Sequence, residues 1–156
     1  MSRFSAPGMR PANFTWQKNY SPLTKYSWKK MVQALDDLKE SDASPYDGLR
    51  LEYFNPHTGG PVMPTIGCYA QKLRPGAHTR SHRHSSAAIY HVFRGAGYSM
   101  IEGRRFDWSE RDIFVVPGWH RHEHVNPSAR ENAILISYTD EPLLKGLGIH
   151  REEASA

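Results

Sequence analysis

The first regular pattern of apolar residues in the chain predicts an amphipathic helix. In the segment SWKKMVQALDDLKES, residues 27–41, apolar side chains recur at helical spacing and so share one face. These side chains are Trp28, Met31, Val32, Leu35 and Leu38. Ser27 precedes the helix and can cap it. The pattern therefore predicts a helix whose apolar face covers a sheet.

From about residue 45 the pattern changes to short runs that predict strands. Each run is rich in β-branched and aromatic residues, and turn residues separate the runs. The runs are GLRLEYFNP, TIGCYAQKL, AIYHVFRG, GYSMI, RRFDW, DIFVVP and AILISYT. A hairpin turn is predicted at Glu102 and Gly103, and a short C-terminal helix is predicted in EPLLKGLGI. Since no helical pattern separates the runs, the sequence favours an all-β sandwich or barrel over a parallel sheet.

The two patterns divide the chain into an N-terminal segment and one β domain. Residues 1–44 are expected to form an extended arm and a linker helix, and residues 45–156 are expected to form a single domain. A chain of 156 residues, 38% of them hydrophobic, is long enough to bury one core. Because the arm contains prolines and could lie across a neighbouring subunit, a homo-oligomer is expected.

Charge and cysteine content limit the classes of partner. The net charge is +4, but lysine and arginine are mixed with acidic residues rather than gathered in runs, so nucleic acid is not an expected partner. No apolar run approaches the roughly 18 residues of a membrane span. The one cysteine, Cys68, cannot form an intramolecular disulfide, so nothing indicates an oxidising compartment. We expect a cytoplasmic protein.

Histidines carry the main chemical signal of the sequence. Six of the nine lie in two short segments. They are His78, His82, His84, His120, His122 and His124. On a strand, residues i and i+2 project to the same face, so each segment would present a group of imidazoles. If the two segments are neighbours in a barrel, the imidazoles converge on a metal site; the alternative is a set of separate polar residues around the barrel mouth.

These segments resemble the two sequence motifs of the cupin superfamily. The matching residues are Gly76, His82, His84, Gly95, Asp112, Pro117, His122 and Asn126. The resemblance implies a double-stranded β-helix, which is a jelly-roll barrel, with an N-terminal helix and a short C-terminal helix. It also implies that His82, His84 and His122 ligate a metal. Many cupins add a glutamate ligand at the position of Ala88, which has no carboxylate.

A longer stretch, residues 45–152, resembles the gentisate 1,2-dioxygenase family with its salicylate and 1-hydroxy-2-naphthoate relatives. The resemblance is to the C-terminal cupin of these two-cupin enzymes. It implies an Fe(II)-dependent, extradiol-type ring-cleaving dioxygenase that acts with O2 on a small aromatic acid carrying a hydroxyl beside its carboxylate. Zn, Mn, Ni or Cu could occupy the same three histidines.

Two departures from that family keep a second hypothesis open. The chain has about half the family's usual length, and Tyr90 stands where the catalytic cupin usually has an arginine for the substrate carboxylate. The alternative is a non-catalytic metal-binding cupin with a structural, ligand-binding or regulatory role. Such a domain could pair with a second cupin chain.

Five residues are candidates for substrate binding. They are Gln71, Tyr90, Trp119, His120 and His124. Gln71 lies on the strand before the first motif, and Trp119 could either stack on an aromatic ring or pack at the barrel rim. The two histidines flank His122 and could line the pocket or support the ligands. No catalytic residue is expected beyond the metal centre.

Overall fold

The computed structural model describes residues 25–56 and 58–155. The helices are α1 (Trp28–Asp37) and α2 (Glu141–Gly146), with one 3-10 turn at Glu40–Asp42. The strands are β1 (Leu49–Glu52), β2 (Gly67–Leu73), β3 (His82–His84), β4 (Ala88–Arg94), β5 (Gly97–Ile101), β6 (Arg104–Trp108), β7 (Ile113–Val116), β8 (His122–Val125), β9 (Ala133–Thr139) and β10 (Glu152–Ala154). The predicted arm, residues 1–24, lies outside the described residues.

The strands form two five-stranded antiparallel sheets. One has the order β1-β2-β9-β4-β7 and the other the order β10-β3-β8-β5-β6. The predicted all-β double-stranded β-helix, with a helix before it and a short helix near the C-terminus, is confirmed. Each predicted run contains one strand, but the short strand β10 was not predicted. None of the described helices is long and apolar enough to cross a membrane.

Strand β9 shows how the two layers of the core are built. Its residues Ala133 to Ser137 are all buried, and the strand lies in the middle of its five-stranded sheet. Ala133 and Leu135 face the barrel interior, where they pack in one cluster with Val92 and Val116. The alternate residues of β9 face the opposite side, which helix α1 covers. The strand is therefore apolar on both faces.

Helix α1 uses the apolar face that the sequence predicted. Met31 and Leu35 are buried against Ile134 and Ile136 of β9. Ser27 occupies the N-cap position, as predicted. The expected capping hydrogen bond from its side chain is not formed. Its carbonyl oxygen accepts the N–H of Met31 instead, at 3.0 Å.

The predicted hairpin between β5 and β6 is confirmed. Glu102 and Gly103 have φ values of 47° and 72°, so both residues are left-handed, as a two-residue turn between twisted strands requires. The pairing places Ile101 opposite Arg104. This hairpin extends the sheet that contains β3 and β8, which carry the two histidine segments.

Replacement of Leu35 by alanine should destabilise the protein by about 2–5 kcal/mol, because the side chain is fully buried beneath the sheet and its loss leaves a cavity. Leu147→Ala, at an exposed position with 63% accessibility, is the matched control and should change stability by less than about 0.5 kcal/mol. Urea unfolding at pH 7.5 measures both. Equal effects would show that α1 is not part of the cooperative unit.

Candidate metal centre

Three imidazoles meet where strands β3 and β8 pair. His82 lies directly opposite His122 in the ladder, and His84, two residues along β3, projects to the same side. Their potential ligand atoms all lie within 4.8 Å of one another. His82 and His122 are buried, and His84 is half-buried. Of the residues the structure describes, these three form the one group of potential ligands that could hold a metal ion.

Backbone carbonyls fix the tautomer of each imidazole. Nδ1 of His84 lies 2.8 Å from the carbonyl oxygen of Ser86, and Nδ1 of His122 lies 3.0 Å from that of His120. Nδ1 of His82 lies 3.4 Å from the carbonyl oxygen of Arg80. A carbonyl oxygen accepts hydrogen bonds and cannot donate them, so each Nδ1 carries the proton. Each Nε2 therefore keeps a free lone pair, which is the form that ligates metals.

The burial of the site favours neutral imidazoles. Burial, together with the neighbouring His82, lowers the pKa of His122 to about 3. Burial likewise lowers the pKa of His82. Nε2 of His122 is buried and has no hydrogen-bond partner among the residues that the structure describes. A buried lone pair without a partner is unfavourable, and a divalent metal ion would satisfy it. The residues present therefore fit a metal held by three histidines.

Two turns pack closely to hold His84 and His122 in position. The backbone N–H of Trp119, before β8, donates to the carbonyl oxygen of His84 at 2.7 Å. A side chain on Gly118 would lie 2.6 Å from the carbonyl oxygen of Ser85, so only glycine fits there. Trp119 has a φ of 63°, a left-handed conformation that costs energy outside glycine and asparagine. The close contact of the turns thus maintains a strained residue beside the centre.

A small polar cavity adjoins the histidines. Its volume is about 30 Å³. It is lined by Asp47, Arg50, His82, His84, Ser86, Ala88, Tyr90, Ser137, Thr139, Glu141, His150 and Glu152. This volume accommodates about two water molecules. Pockets that bind small organic ligands are usually about ten times larger. An aromatic acid would therefore require side chains to move.

Arg50 is a feature of the cavity that the sequence did not predict. Its guanidinium lies 3.2 Å from Asp47 and 3.9 Å from Glu141, and it stacks over Tyr69 at 3.7 Å. In the run Leu49-Arg50-Leu51, alternation suggests that the arginine faces solvent. It faces the cavity because α1 covers the other side of the sheet, where Leu51 packs.

Among the predicted substrate-binding residues, Tyr90 lines the cavity. It is buried, and its ring stacks on Phe114 with centroids 4.9 Å apart. Burial raises the pKa of Tyr90, so its hydroxyl stays protonated and can donate a hydrogen bond. His124 is also buried: its Nδ1 lies 2.7 Å from Oγ of Ser99, which accepts the indole N–H of Trp108 at 3.0 Å. Within residues 25–56 and 58–155, Nε2 of His124 has no hydrogen-bond partner.

The other candidates make contacts of their own. The amide of Gln71 donates to the carbonyl oxygen of Asp47 at 2.6 Å and so holds the loop before β1. His120 contacts the carbonyl oxygen of Gly118 through Nδ1 at 3.1 Å. Trp119 packs under the guanidinium of Arg83 at 4.5 Å. These three residues and His124 do not line the cavity, and their roles in substrate binding stay predictions.

Comparison with known proteins finds one matching family model and several similar dioxygenases. Residues 69–138 match the family model described as a cupin domain. The chain is 42% identical over 149 residues to a 5-aminosalicylate 1,2-dioxygenase of Comamonas sp, covering 94% of the chain and 39% of the relative. It is 33% identical to a gentisate 1,2-dioxygenase of Aquipseudomonas alcaligenes, covering 97% of the chain and 43% of the relative.

The chain is also similar to solved structures of a salicylate 1,2-dioxygenase. Salicylate 1,2-dioxygenase from Pseudoaminobacter salicylatoxidans, crystallised as an adduct with gentisate, superposes with a TM-score of 0.80 at 29% identity. The match covers 96% of the chain and 42% of that structure. The chain thus spans about two fifths of the length of these relatives.

Lower pH should destabilise the metal-free protein through the buried histidines. Between pH 6.5 and about 3, His122 is neutral in the folded state but protonated in the unfolded state, so the free energy of unfolding falls as pH falls. One such proton contributes about 1.4 kcal/mol per pH unit. Urea unfolding from pH 6.5 to 5 should show the free energy of unfolding falling with pH. In His122→Leu this dependence should be weaker, by up to the contribution of one proton. Equal slopes in the two proteins would contradict the assignment.

Proposed function

We propose that this chain, a member of the cupin superfamily, holds Fe(II) on His82, His84 and His122 and serves in a ring-cleaving dioxygenase that acts on an ortho-hydroxy aromatic carboxylate. The observation that carries the proposal is the convergence of three imidazoles whose potential ligand atoms lie within 4.8 Å of one another, with each Nδ1 against a backbone carbonyl oxygen. The named relatives, which cleave salicylates and gentisate, supply the reaction class.

His82, His84 and His122 would hold the Fe(II), which would supply redox chemistry toward O2 and Lewis acidity toward the substrate oxygens. Three protein ligands leave open positions on a six-coordinate ion, and a hydroxyl beside a carboxylate provides two oxygens for them. Histidine is compatible with several metals, and iron is proposed because the relatives are dioxygenases.

Arg50 and Tyr90 are the residues proposed to receive the acid. The guanidinium of Arg50 supplies the positive charge that Tyr90 lacks. This arginine lies on β1, whereas the family's usual arginine lies at the position that Tyr90 occupies here. The buried hydroxyl of Tyr90 donates one hydrogen bond. The network around Arg50 holds its side chain in place, so less conformational entropy is lost when a carboxylate binds.

The extradiol part of the sequence-based expectation is a misclassification. Extradiol cleavage breaks a bond next to a pair of adjacent hydroxyls. The relatives are 1,2-dioxygenases of gentisate and salicylates, whose reactive carbons bear a carboxylate and a hydroxyl. The proposed bond to be broken therefore lies between the carboxyl-bearing and hydroxyl-bearing carbons.

The cavity supports a second candidate function, a metal-binding cupin without ring-cleaving activity of its own. Its volume of about 30 Å³ is too small for an aromatic acid without rearrangement, and Asp47, Glu141 and Glu152 line it beside a single arginine. These carboxylates oppose the binding of an anion. A chain that spans two fifths of its relatives could act together with a second cupin, as another chain or another copy.

The division into residues 1–44 and 45–156 is also proposed, since the first strand pairing, the bridge between Ser44 and Gly48, begins at this boundary. A homo-oligomer and a cytoplasmic location stay predictions from the sequence.

Metal loading followed by O2 uptake separates the two functions. The Fe(II)-loaded chain should bind about one iron, and His122→Ala should bind at least about tenfold more weakly, because one of the three ligands is lost. His78→Ala, at an exposed histidine outside the triad, is the matched control and should bind iron like the wild type. Iron content by mass spectrometry after gel filtration measures this binding.

The loaded chain should then consume O2 with at least one of gentisate, salicylate and 5-aminosalicylate, and the His122→Ala variant should not. An oxygen electrode measures the uptake. Bound iron without uptake across these acids would contradict the dioxygenase proposal for this chain and leave the non-catalytic cupin. A wild type that binds no iron would contradict both.

A further inference from the structure

We propose that Glu152 of the C-terminal strand β10 is a fourth protein ligand of the metal centre. This inference rests on the metal site proposed above and adds to it a carboxylate from the opposite end of the chain. Strand β10 pairs with β3, the three-residue strand that carries two of the histidines. Neither the sequence motifs nor the matched region at residues 69–138 includes this strand.

The register of β10 directs Glu152 toward the histidines. Glu152 lies opposite His84, and Ala154 lies opposite His82. Residues directly opposite each other in an antiparallel pair project to the same face of the sheet. Glu152 therefore shares the face of the imidazoles, and it lines the same cavity as His82 and His84.

Ion pairs on the opposite face hold this register. Glu153 faces outward and pairs with Arg83 at 2.8 Å and with Arg121. Arg83 separates the two histidines of β3, and Arg121 immediately precedes His122. One carboxylate thus connects β10 to both strands that carry ligands. A shift of β10 by one residue would break these pairs and turn Glu152 away from the cavity.

Glu152 differs from the other carboxylates of the cavity in having no partner. Asp47 pairs with Arg50 at 3.2 Å, and Glu141 accepts the hydroxyl of Tyr69 at 3.1 Å and pairs with Lys145. Within residues 25–56 and 58–155, no hydrogen bond or ion pair engages the Glu152 side chain. Its exposed position leaves its side-chain torsions free to move the carboxylate toward the metal.

A carboxylate at this position would change the chemistry of the site. Three imidazoles are neutral, so a divalent ion on them alone keeps its full charge. One glutamate would lower that charge and occupy one of the open positions, so a substrate that binds through both oxygens together with O2 would require Glu152 to leave the metal. Ala88 of β4 lines the same cavity but offers only a methyl group. The carboxylate would therefore come from β10.

The test is a competition titration of the full chain with Co(II) against a chelator, with Co(II) absorption spectra as a second readout. Glu152→Gln should weaken Co(II) binding by about 10–100-fold and alter the visible absorption bands. Glu110→Gln removes the same charge from an exposed turn outside this cavity and should bind within about twofold of the wild type. Thermal unfolding of the metal-free variants checks that each one is folded.

Wild-type affinity and an unchanged spectrum in folded Glu152→Gln would overturn the inference. If His122→Ala abolishes Co(II) binding in the same experiment, the three-histidine site stands and Glu152 alone is excluded. If the wild type itself binds no Co(II), the proposed site and the inference both fail. Should Glu152→Gln unfold, Glu152→Ala replaces it: a folded variant with wild-type affinity and spectrum would overturn the proposal, and weaker binding with altered bands would support it.

Discussion

The register between β3 and β8 is the constraint on which the rest of the site depends. His82 lies opposite His122, and the side chains of a strand alternate between its faces, so a one-residue slip of β3 would send His82 and His84 outward, away from His122. The same alternation places Arg83 and Arg121 on the outer face. There Glu153 pairs with both, so the outer ion pairs and the inner imidazoles depend on a single register.

This arrangement is unfavourable without an ion and favourable with one. Burial lowers the pKa of His82 and of His122, and the backbone carbonyls hold the imidazole protons on Nδ1, so the lone pairs converge where no donor among the described residues reaches Nε2 of His122. Buried polar atoms without partners cost free energy. Histidines that are already neutral need lose no proton before a metal binds, so metal binding would stabilise the fold.

Much of the fold followed from alternation and spacing, whereas the choice of His82, His84 and His122 as ligands followed from the resemblance to the cupin motifs. The runs of β-branched residues predicted strands, and the two histidine segments predicted convergence because i and i+2 share a face. Arg50 was missed because an apolar-charged-apolar pattern usually places the charged residue in solvent. Here α1 covers the outer side of β1, so Leu51 faces the helix and Arg50 faces the cavity. Strand β10 was missed because two glutamates and one alanine are too short a run to show a hydrophobic period. The small size of the cavity depends on packing that no local pattern encodes.

X-ray absorption on the zinc-loaded full chain tests the central claim most directly. Zinc reports the ligand set independently of redox chemistry and of catalysis. A centre built on three histidines should give imidazole multiple scattering that fits about three histidines, with Zn–N distances of about 2.0–2.1 Å. The His84→Ala variant should lose one imidazole from the fit. A shell of oxygen ligands without imidazole scattering, or spectra identical in the two proteins, would contradict a metal centre built on His82, His84 and His122.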